Sequence, residues 1–301
     1  MSEFSALLPV YAGDQPHFFS RAIQSVTIDQ HVQPTELVIV CDGPLGPGLR
    51  SVLQQARNGD LTGAVPVNVI ELPRNVGLAG ALQAGLAACR FEIVARADAD
   101  DVSLPHRFAV QVPLVDAGLD LLSSAVAEFQ DDESRPGLVR AWPTQSSSIS
   151  ALARIVDPFN HPAVVYRRNA VVTAGGYEDL HRMEDYWLFV RMIAAGARVA
   201  NVAEPLVLYR VGAGAYRRRG GVRMLSSELR LQWRMLRTGF TTTPQFFRNV
   251  LLRGVWRAIP AATRRPLYAI ATRARRSEPP GCGVEETWPT VRDHPQRKGN
   301  T

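Results

Sequence analysis

The chain has 301 residues, 46% hydrophobic and 21% charged, enough for one large domain, or one domain plus an appendage, with a real core. Its three cysteines, Cys41, Cys89 and Cys282, have no metal-binding spacing and form no even disulfide set, which points to a reducing compartment. No run of about 18 apolar residues occurs, and "MSEFSALLPVY" lacks a basic segment followed by a signal-type apolar run, so neither a transmembrane helix nor a secretion signal is expected.

The elements follow in chain order. "FSALLPVY" (4–11) reads as a buried strand, and "HFFSRAIQSVTIDQ" (17–30) as a helix with Phe18, Ala22, Ile23 and Val26 at helical spacing. "TELVIVCDG" (35–43) is a second buried strand, "LRSVLQQARN" a helix, "VNVIELP" (67–73) a third strand and "GLAGALQAGLAAC" (77–89) a small-residue helix. "FEIVARADADD" is a fourth strand running into acids. Repeated strand–helix units with continuously apolar strands imply an α/β fold, a mostly parallel sheet flanked by helices. Ligands of such sheets bind at the carboxyl ends of the strands. Those ends are Tyr11, Asp42-Gly43, Arg74-Asn75 and Asp98 to Asp101.

Further along, "LDLLSSAVAEF" (119–129) is a strand, while "DDESRPG" and "PTQSSSIS" read as polar loops. "NHPAVVYRR" (160–168) is a strand, "NAVVTAGGYED" a short helix ended by glycines, "MEDYWLFVRMIAAGA" (183–197) a strong helix and "RVANVAEPLVLYR" the last core strand. Two basic helices follow, "VRMLSSELRLQWRMLRTG" and "PQFFRNVLLRGVWRAI"; residues 277–301 have little periodicity and are expected to be disordered. The expected division is a catalytic domain over 1–220, an arginine-rich helical extension over 221–276 and the tail.

The net charge of +6 is unevenly spread: residues 205–276 carry sixteen arginines against one acid, Glu228. That segment alone exceeds the net charge, so the remainder is acidic. Such a split suits an anionic partner, such as lipid headgroups, pyrophosphates or nucleic acid; the alternative is a solvated face in an arginine-biased composition, with Lys298 the sole lysine. "PQFFRNVLLRGVWRAI" sets Phe247, Val250, Leu251 and Val255 toward one side, as interfacial helices do, or else it packs on the catalytic domain.

Three acids within four residues, Asp98, Asp100 and Asp101, repel and are costly to bury. If strand geometry continues, Asp98 and Asp100 leave on one face. Two hard oxygen ligands at a sheet end suit Mg²⁺ or Mn²⁺, which take substrate phosphates as further ligands. A capping role before "LPHRF" needs one acid, and Asp101 or Ser103 suits it. "PRNVGLAGAL" is glycine-rich ahead of a helix, like a phosphate cradle, with Arg74 beside it, but matches no standard phosphate-loop pattern. Glu184 and Asp185 open a helix, either as favourable dipole charge or as a general base. His161 is either a satisfied core histidine or a ligand. "YRVGAGAYRRRGG" (209–221), led by Arg210, mixes glycines with arginines as a basic loop over a pyrophosphate would.

Together, "LLPVY", "ELVIVCDG", "RNVGLAGALQAGL", "ARADADDVSLPHRF", "NHPAVVYRRNAVVTAGGY", "MEDYWLFVRMIAAG" and "VLYR" resemble the family 2 glycosyltransferases, inverting enzymes of the GT-A fold, over about residues 4–220. The likeness is greatest to the bacterial branch that builds exopolysaccharide, O-antigen or glycolipid sugars. The resemblance implies that Pro9, Tyr11 and Asp42 hold the nucleotide base, with Asp42 accepting from a uracil or thymine N–H. Arg74 and Gly77 would lie beside base and phosphates. Asp98 and Asp100 match the D-x-D signature, Asp100 as direct metal ligand and Asp98 facing ribose or metal waters. Asp185 matches the general base, Glu184 lies near the acceptor, and His161 falls at a donor-site position. Cys41 departs from the pattern, standing where relatives carry the first of two acids. The Q-x-x-R-W motif and membrane helices of processive synthases are absent, so addition of a single sugar is expected.

The reading is therefore an inverting, cation-dependent transferase taking a UDP- or dTDP-linked sugar to a lipid-linked or polysaccharide acceptor. It would be cytoplasmic, peripheral on the inner face of an anionic membrane, with no nucleic-acid partner. A sugar nucleotidyltransferase would need a Gly-rich Lys/Arg loop after the first strand, which "PVYAGDQPH" lacks; an arginine-rich nucleic-acid-binding protein has no recognition motif to support it.

Overall fold

The computed structural model describes residues 2–212 and 222–258, with side chains of the second stretch described over 224–253. Its first part alternates β1 (Phe4–Tyr11), α1 (Pro16–Val26), β2 (Glu36–Asp42), α2 (Pro47–Asn58), β3 (Val67–Glu71), α3 (Gly77–Ala88) and β4 (Ile93–Arg96). β1 is buried up to its terminal Tyr11 and β2 throughout, as strands covered on both faces must be. The four strands pair in parallel in the order β3-β2-β1-β4. The chain winds outward from β1 to β3, then returns to lay β4 on the other side of β1. Such a reversal leaves a crevice at the carboxyl ends, here between β1 and β4.

Pro9 helps to open that crevice. The Leu7 carbonyl faces β4 and accepts from Ala97 at 2.9 Å. Pro9, two residues on, faces the same way, but the β1–β4 register has already ended at Leu7 and Arg96. The donor that proline lacks is thus missing only where no strand needs it.

The second part adds β5 (Val102–Ser103), α4 (Arg107–Asp116), β6 (Leu121–Phe129), β7 (Val139–Arg140), α5 (Ser146–Leu152), a 3-10 turn (His161–Ala163), β8 (Val165–Arg167), α6 (Arg168–Thr173), α7 (Glu184–Ala194) and β9 (Val199–Arg210). β8 runs antiparallel between β4 and β6, β9 pairs parallel with β6, and β5 and β7 pair antiparallel with β9 and β6. The expected α/β sheet flanked by helices is borne out, with antiparallel strands inserted. The strand expected over 160–168 is split, because the chain turns at Pro162 before β8 begins. "PTQSSSIS", read as a loop, leads into α5: its serines hide any period, yet Ile149 is fully buried.

The two sheet faces build separate cores. Leu8, Phe19, Ile39 and Phe108 pack on one side; Leu7, Val38, Leu82 and Phe189 pack on the other, β1 alternating between them. The expected basic helices follow as α8 (Val222–Arg237) and α9 (Thr243–Ala258). α8 joins the molecule through Leu231 and Met235, which pack with Tyr186, Trp187 and Val190 of α7. The remainder of the extension, the tail over 277–301 and most of the arginine–glycine loop (213–221) lie outside the described residues.

Candidate active site

β4 stops at Arg96, so strand alternation does not reach the acids and Asp98 and Asp100 do not leave as neighbours on one strand face. Instead the three acids divide. Asp98 forms a two-pronged ion pair with Arg96, whose side chain is only 1% exposed. Asp101 is buried, and its Oδ1 accepts the backbone N–H of Arg210 at 2.7 Å. Its Oδ2 is buried without a hydrogen-bond partner among the described residues. Asp100 alone is exposed.

Although Asp100 as a whole is exposed, the protein around its carboxyl group desolvates that group, and this, with next the charge of Asp98, pushes Asp100 up to about 6. Burial and the two neighbouring acids push Asp101 well above the usual range. Asp14 joins this group from the loop after β1: it accepts the Tyr11 N–H at 2.9 Å, and burial with the charges of Asp100 and Asp98 raises it to about 7. Arg107 lies fully buried beneath, donating to Gln111 Oε1, Ser103 Oγ and the Arg96 carbonyl; burial, then Arg96, lowers it to about 9.

Neither Asp101 nor Ser103 caps the next helix, which starts only at Arg107 and has no side-chain cap. The chain first makes β5, and both side chains serve the β9 junction and Arg107. Arg210 likewise tightens this junction: its Nε donates to the Asp100 carbonyl at 2.8 Å and its Nη1 to the Gln130 carbonyl at 2.7 Å. Its guanidinium carbon lies 3.7 Å from the Phe18 ring centroid. It therefore shapes the acidic loop from below.

On the β2 side, Asp42 is buried and accepts the N–H groups of Val76 at 2.7 Å and Gly77 at 3.1 Å. The N-terminus of α3 is thus capped from within, and those two donors are not idle phosphate ligands. Gly43, with φ +86°, fits only as glycine, since a Cβ there would stand 2.7 Å from the Asn75 nitrogen. Cys41 is buried beside it, its thiol pushed up to about 11 by burial. Tyr11 is half exposed at the end of β1, Pro9 is buried one turn of the pleat below, and Arg74 is exposed. Among the described residues the Arg74 side chain has no hydrogen bond.

The other wall comes from the second half of the chain. Glu184 and Asp185 open α7, and Asp185 Oδ1 accepts the Tyr186 N–H at 2.7 Å. His161 Nδ1 lies 3.7 Å from Asp185 Oδ2, while Nε2 lies 3.0 Å from the Tyr177 hydroxyl. Burial, then Arg96, holds His161 well below its ordinary value, so it is neutral and can donate one N–H while accepting the tyrosine proton. Burial raises Asp185, with Arg96 and the Tyr186 N–H opposing and Asp98 adding to the rise. Burial and then Asp185 push Glu184 up to about 7. Asp157, which accepts the Phe159 N–H at 3.0 Å, is raised well above the carboxylate range by burial and by Asp185.

The fold therefore brings His161 beside Asp185, and the charge of Asp98 reaches Asp185 as well. Sequence reasoning missed Asp14, Asp157, Tyr177, Arg96 and Arg107. Only Arg96 left a signal, as a charge inside the apolar run "FEIVA-R-A". Among the described residues no cluster of three or more His, Cys, Asp or Glu side chains could enclose a metal ion by itself. The donor set still fits Mg²⁺ or Mn²⁺. One exposed carboxylate, Asp100, in a site with uncompensated acid is what a cation that keeps waters and takes phosphate ligands requires.

Residues 5–175 match the family described as Glycosyl transferase family 2. The chain belongs to that family. The match spans Pro9 to His161 and ends before α7. Its relatives include the amylovoran biosynthesis glycosyltransferase AmsE of Erwinia amylovora, 32% identical over 88% of this chain and 97% of that protein. A second is a UDP-Gal:alpha-D-GlcNAc-diphosphoundecaprenol beta-1,3-galactosyltransferase of Escherichia coli, 31% identical over 88% of this chain and 95% of that protein. Among solved structures, the mannosyltransferase PcManGT from Pyrobaculum calidifontis, in complex with GDP-Man and Mn²⁺, superposes with a TM-score of 0.59 at 16% identity, covering 92% of this chain and 76% of that one. The fold of this family 2 member is thus the GT-A arrangement the motifs implied.

Proposed function

We propose that this family 2 chain is an inverting glycosyltransferase that moves one sugar from a UDP- or dTDP-linked donor to a hydroxyl of a lipid-linked or polysaccharide acceptor at the cytoplasmic face of a membrane. One observation carries the reading: β8 pairs with β4 so that the Arg96 N–H meets the Val164 carbonyl, the turn just before β8 carries His161, and His161 lies 3.7 Å from Asp185, which brings the candidate base to the carboxyl end of the strand that leads into the acids. The named activities of the two relatives support sugar transfer, and the name of the second supports a diphosphate-lipid acceptor.

In this reading Tyr11 and Arg74 receive the base and phosphates at the open end of β1, above Pro9. Asp42 has lone pairs left after its two backbone bonds and accepts a ring N–H. Asp100 would hold the Mn²⁺ or Mg²⁺, with Asp98, fixed by Arg96, turned to ribose or metal waters. A bound divalent cation supplies positive charge to the departing diphosphate. Asp185, oriented by the neutral His161, takes the proton of the acceptor hydroxyl as it attacks the anomeric carbon from the face opposite the diphosphate, inverting that centre. Burial raises the proton affinity of Asp185, the direction that suits a group that must take a proton.

The test is a panel of nucleotide sugars with Mn²⁺ or Mg²⁺, scored by thermal shift, donor hydrolysis and transfer. A single UDP- or dTDP-sugar should stabilise the protein only with the cation, and Asp185→Asn should lower turnover by about 10²-fold or more while leaving that shift intact. Near-full transfer by Asp185→Asn would remove the base assignment.

A further inference from the structure

α8 has two opposed faces. Ser227, Leu231 and Met235 are buried against the catalytic domain. Leu225, Leu229 and Trp233 repeat at the same four-residue interval, two positions out of step and so about 200° round the helix; they are 37%, 41% and 53% exposed. α9 continues the outward surface. Trp233 packs edge-on to Phe246 at 6.2 Å, Phe246 meets Phe247 at 5.4 Å, and Phe247 and Leu251 are 65% and 68% exposed. An open depression of about 410 Å³ runs along Leu225, Leu229, Arg230 and Trp233. Scattered single apolar residues on a surface are ordinary, whereas a continuous ridge across two helices marks a contact.

The charges around the ridge select its partner. Arg230, Arg237 and Arg248 are exposed. Glu228, the single acid over 205–276, is turned inward, with Arg253 Nη1 2.6 Å from its Oε1. The face therefore presents apolar side chains and guanidinia with no outward carboxylate among its described residues. A soluble protein partner of mixed charge has no use for that one-sidedness, but a layer of phosphate headgroups over acyl chains matches it.

We propose that the outer face of α8 and α9 is a docking surface for an anionic bilayer, with Leu225, Leu229, Trp233, Phe247 and Leu251 entering the headgroup region and Arg230, Arg237 and Arg248 on lipid phosphates. The inference rests on the proposed lipid-linked acceptor only for its purpose; the surface itself stands on exposure and charge. α8 is packed on α7, the helix that opens with Asp185, so docking this face would hold the candidate base at a fixed height above the membrane.

The full chain should co-sediment with phosphatidylcholine vesicles containing phosphatidylglycerol and much less with phosphatidylcholine alone. Leu229→Glu with Trp233→Glu should weaken that binding by about tenfold or more. Arg230→Gln with Arg237→Gln and Arg248→Gln should weaken it and flatten its salt dependence. Both variants should keep the wild-type melting temperature and donor hydrolysis in solution, since neither touches the crevice; failure of the sugar-transfer reading would appear in that hydrolysis, not in vesicle binding. Vesicle binding unchanged by the Glu pair would overturn the proposal. So would binding indifferent to phosphatidylglycerol, or a solution dimer that the Glu pair splits, which would make the ridge an interface between copies.

Discussion

Asp98 and Asp185, on the two walls of the crevice, are held in opposite ways. On the donor wall, Asp98 is gripped by the buried Arg96, while Asp14, Asp100 and Asp101 beside it are raised by burial. On the acceptor wall, Asp185 accepts the Tyr186 N–H with neutral His161 3.7 Å away, and Asp157 accepts the Phe159 N–H; the charge of Arg96 reaches Glu184 and Asp185, and that of Arg140 reaches Asp157, only at a distance. Pairing fixes charge in place, while crowding without a partner raises proton affinity. The first arrangement suits a residue that must stay ionised to orient a ligand. The second suits one that must take a proton and release it.

The largest expected effect breaks the pairing. Asp98→Ala strips the ion-pair partner from a guanidinium that is 1% exposed, so unfolding in urea should show a loss of about 3–5 kcal/mol. Asp100→Ala in the cation-free protein should cost almost nothing, or stabilise, because it removes an exposed acid that repels its neighbours. If both cost the same, the division of labour within "DADD" is wrong. In catalysis the ranking reverses its meaning. Asp100→Ala should abolish Mn²⁺-dependent donor binding in a thermal-shift titration and lower turnover by about 10²-fold or more.

The same contrast explains what could be read from the sequence. Strand runs such as "ELVIVCDG" and the small-residue helix after Gly77 announce themselves, because apolar continuity and period are local properties. The acid cluster was legible as a site. Its internal division was not, since whether Asp98 meets a cation or Arg96 depends on where β4 ends, and one residue decides that. The sequence alone does not decide between a core and a ligand role for His161; the residue is both buried and 3.7 Å from Asp185, because a 3-10 turn, not a strand, carries it. Asp14 and Asp157 lie in loops with no periodicity and become notable only when folding sets other acids beside them.

A smaller effect concerns proton affinity on the acceptor wall. Glu184 is raised from 4.5 to about 7, so between those values the folded chain keeps a proton that the unfolded chain has released. Ionising it is a penalty on the native state, absent below about pH 4.5 and complete above about pH 7. Glu184→Gln should therefore stabilise the protein by little at pH 4.5 and by roughly 1–3 kcal/mol at pH 8. The contribution of neutral His161, lost as pH falls below its unfolded value, is common to both proteins and cancels in the difference. A gain that does not grow with pH would mean that solvent already screens this carboxyl.

The smallest effect tests how each wall is entered. The donor wall uses glycines where the backbone turns left-handed, at Gly43 and Gly77 with φ of +86° and +82°. The acceptor wall is entered through Arg182, a non-glycine residue at φ 60° just ahead of Met183 and the Glu184–Asp185 pair. Holding an L-residue there costs about 1–2 kcal/mol, and glycine would remove that strain while adding about 0.5–1 kcal/mol of unfolded-chain entropy. Arg182→Gly should leave the unfolding free energy within about 1 kcal/mol of wild type. Should the strained turn serve to aim α7, turnover will fall several-fold with the donor KM unchanged, because the loosened residue precedes the candidate base and is far along the chain from the donor loops. Equal turnover in the variant would show that packing of Tyr186 and Trp187 against α8 aims the helix without help from the turn.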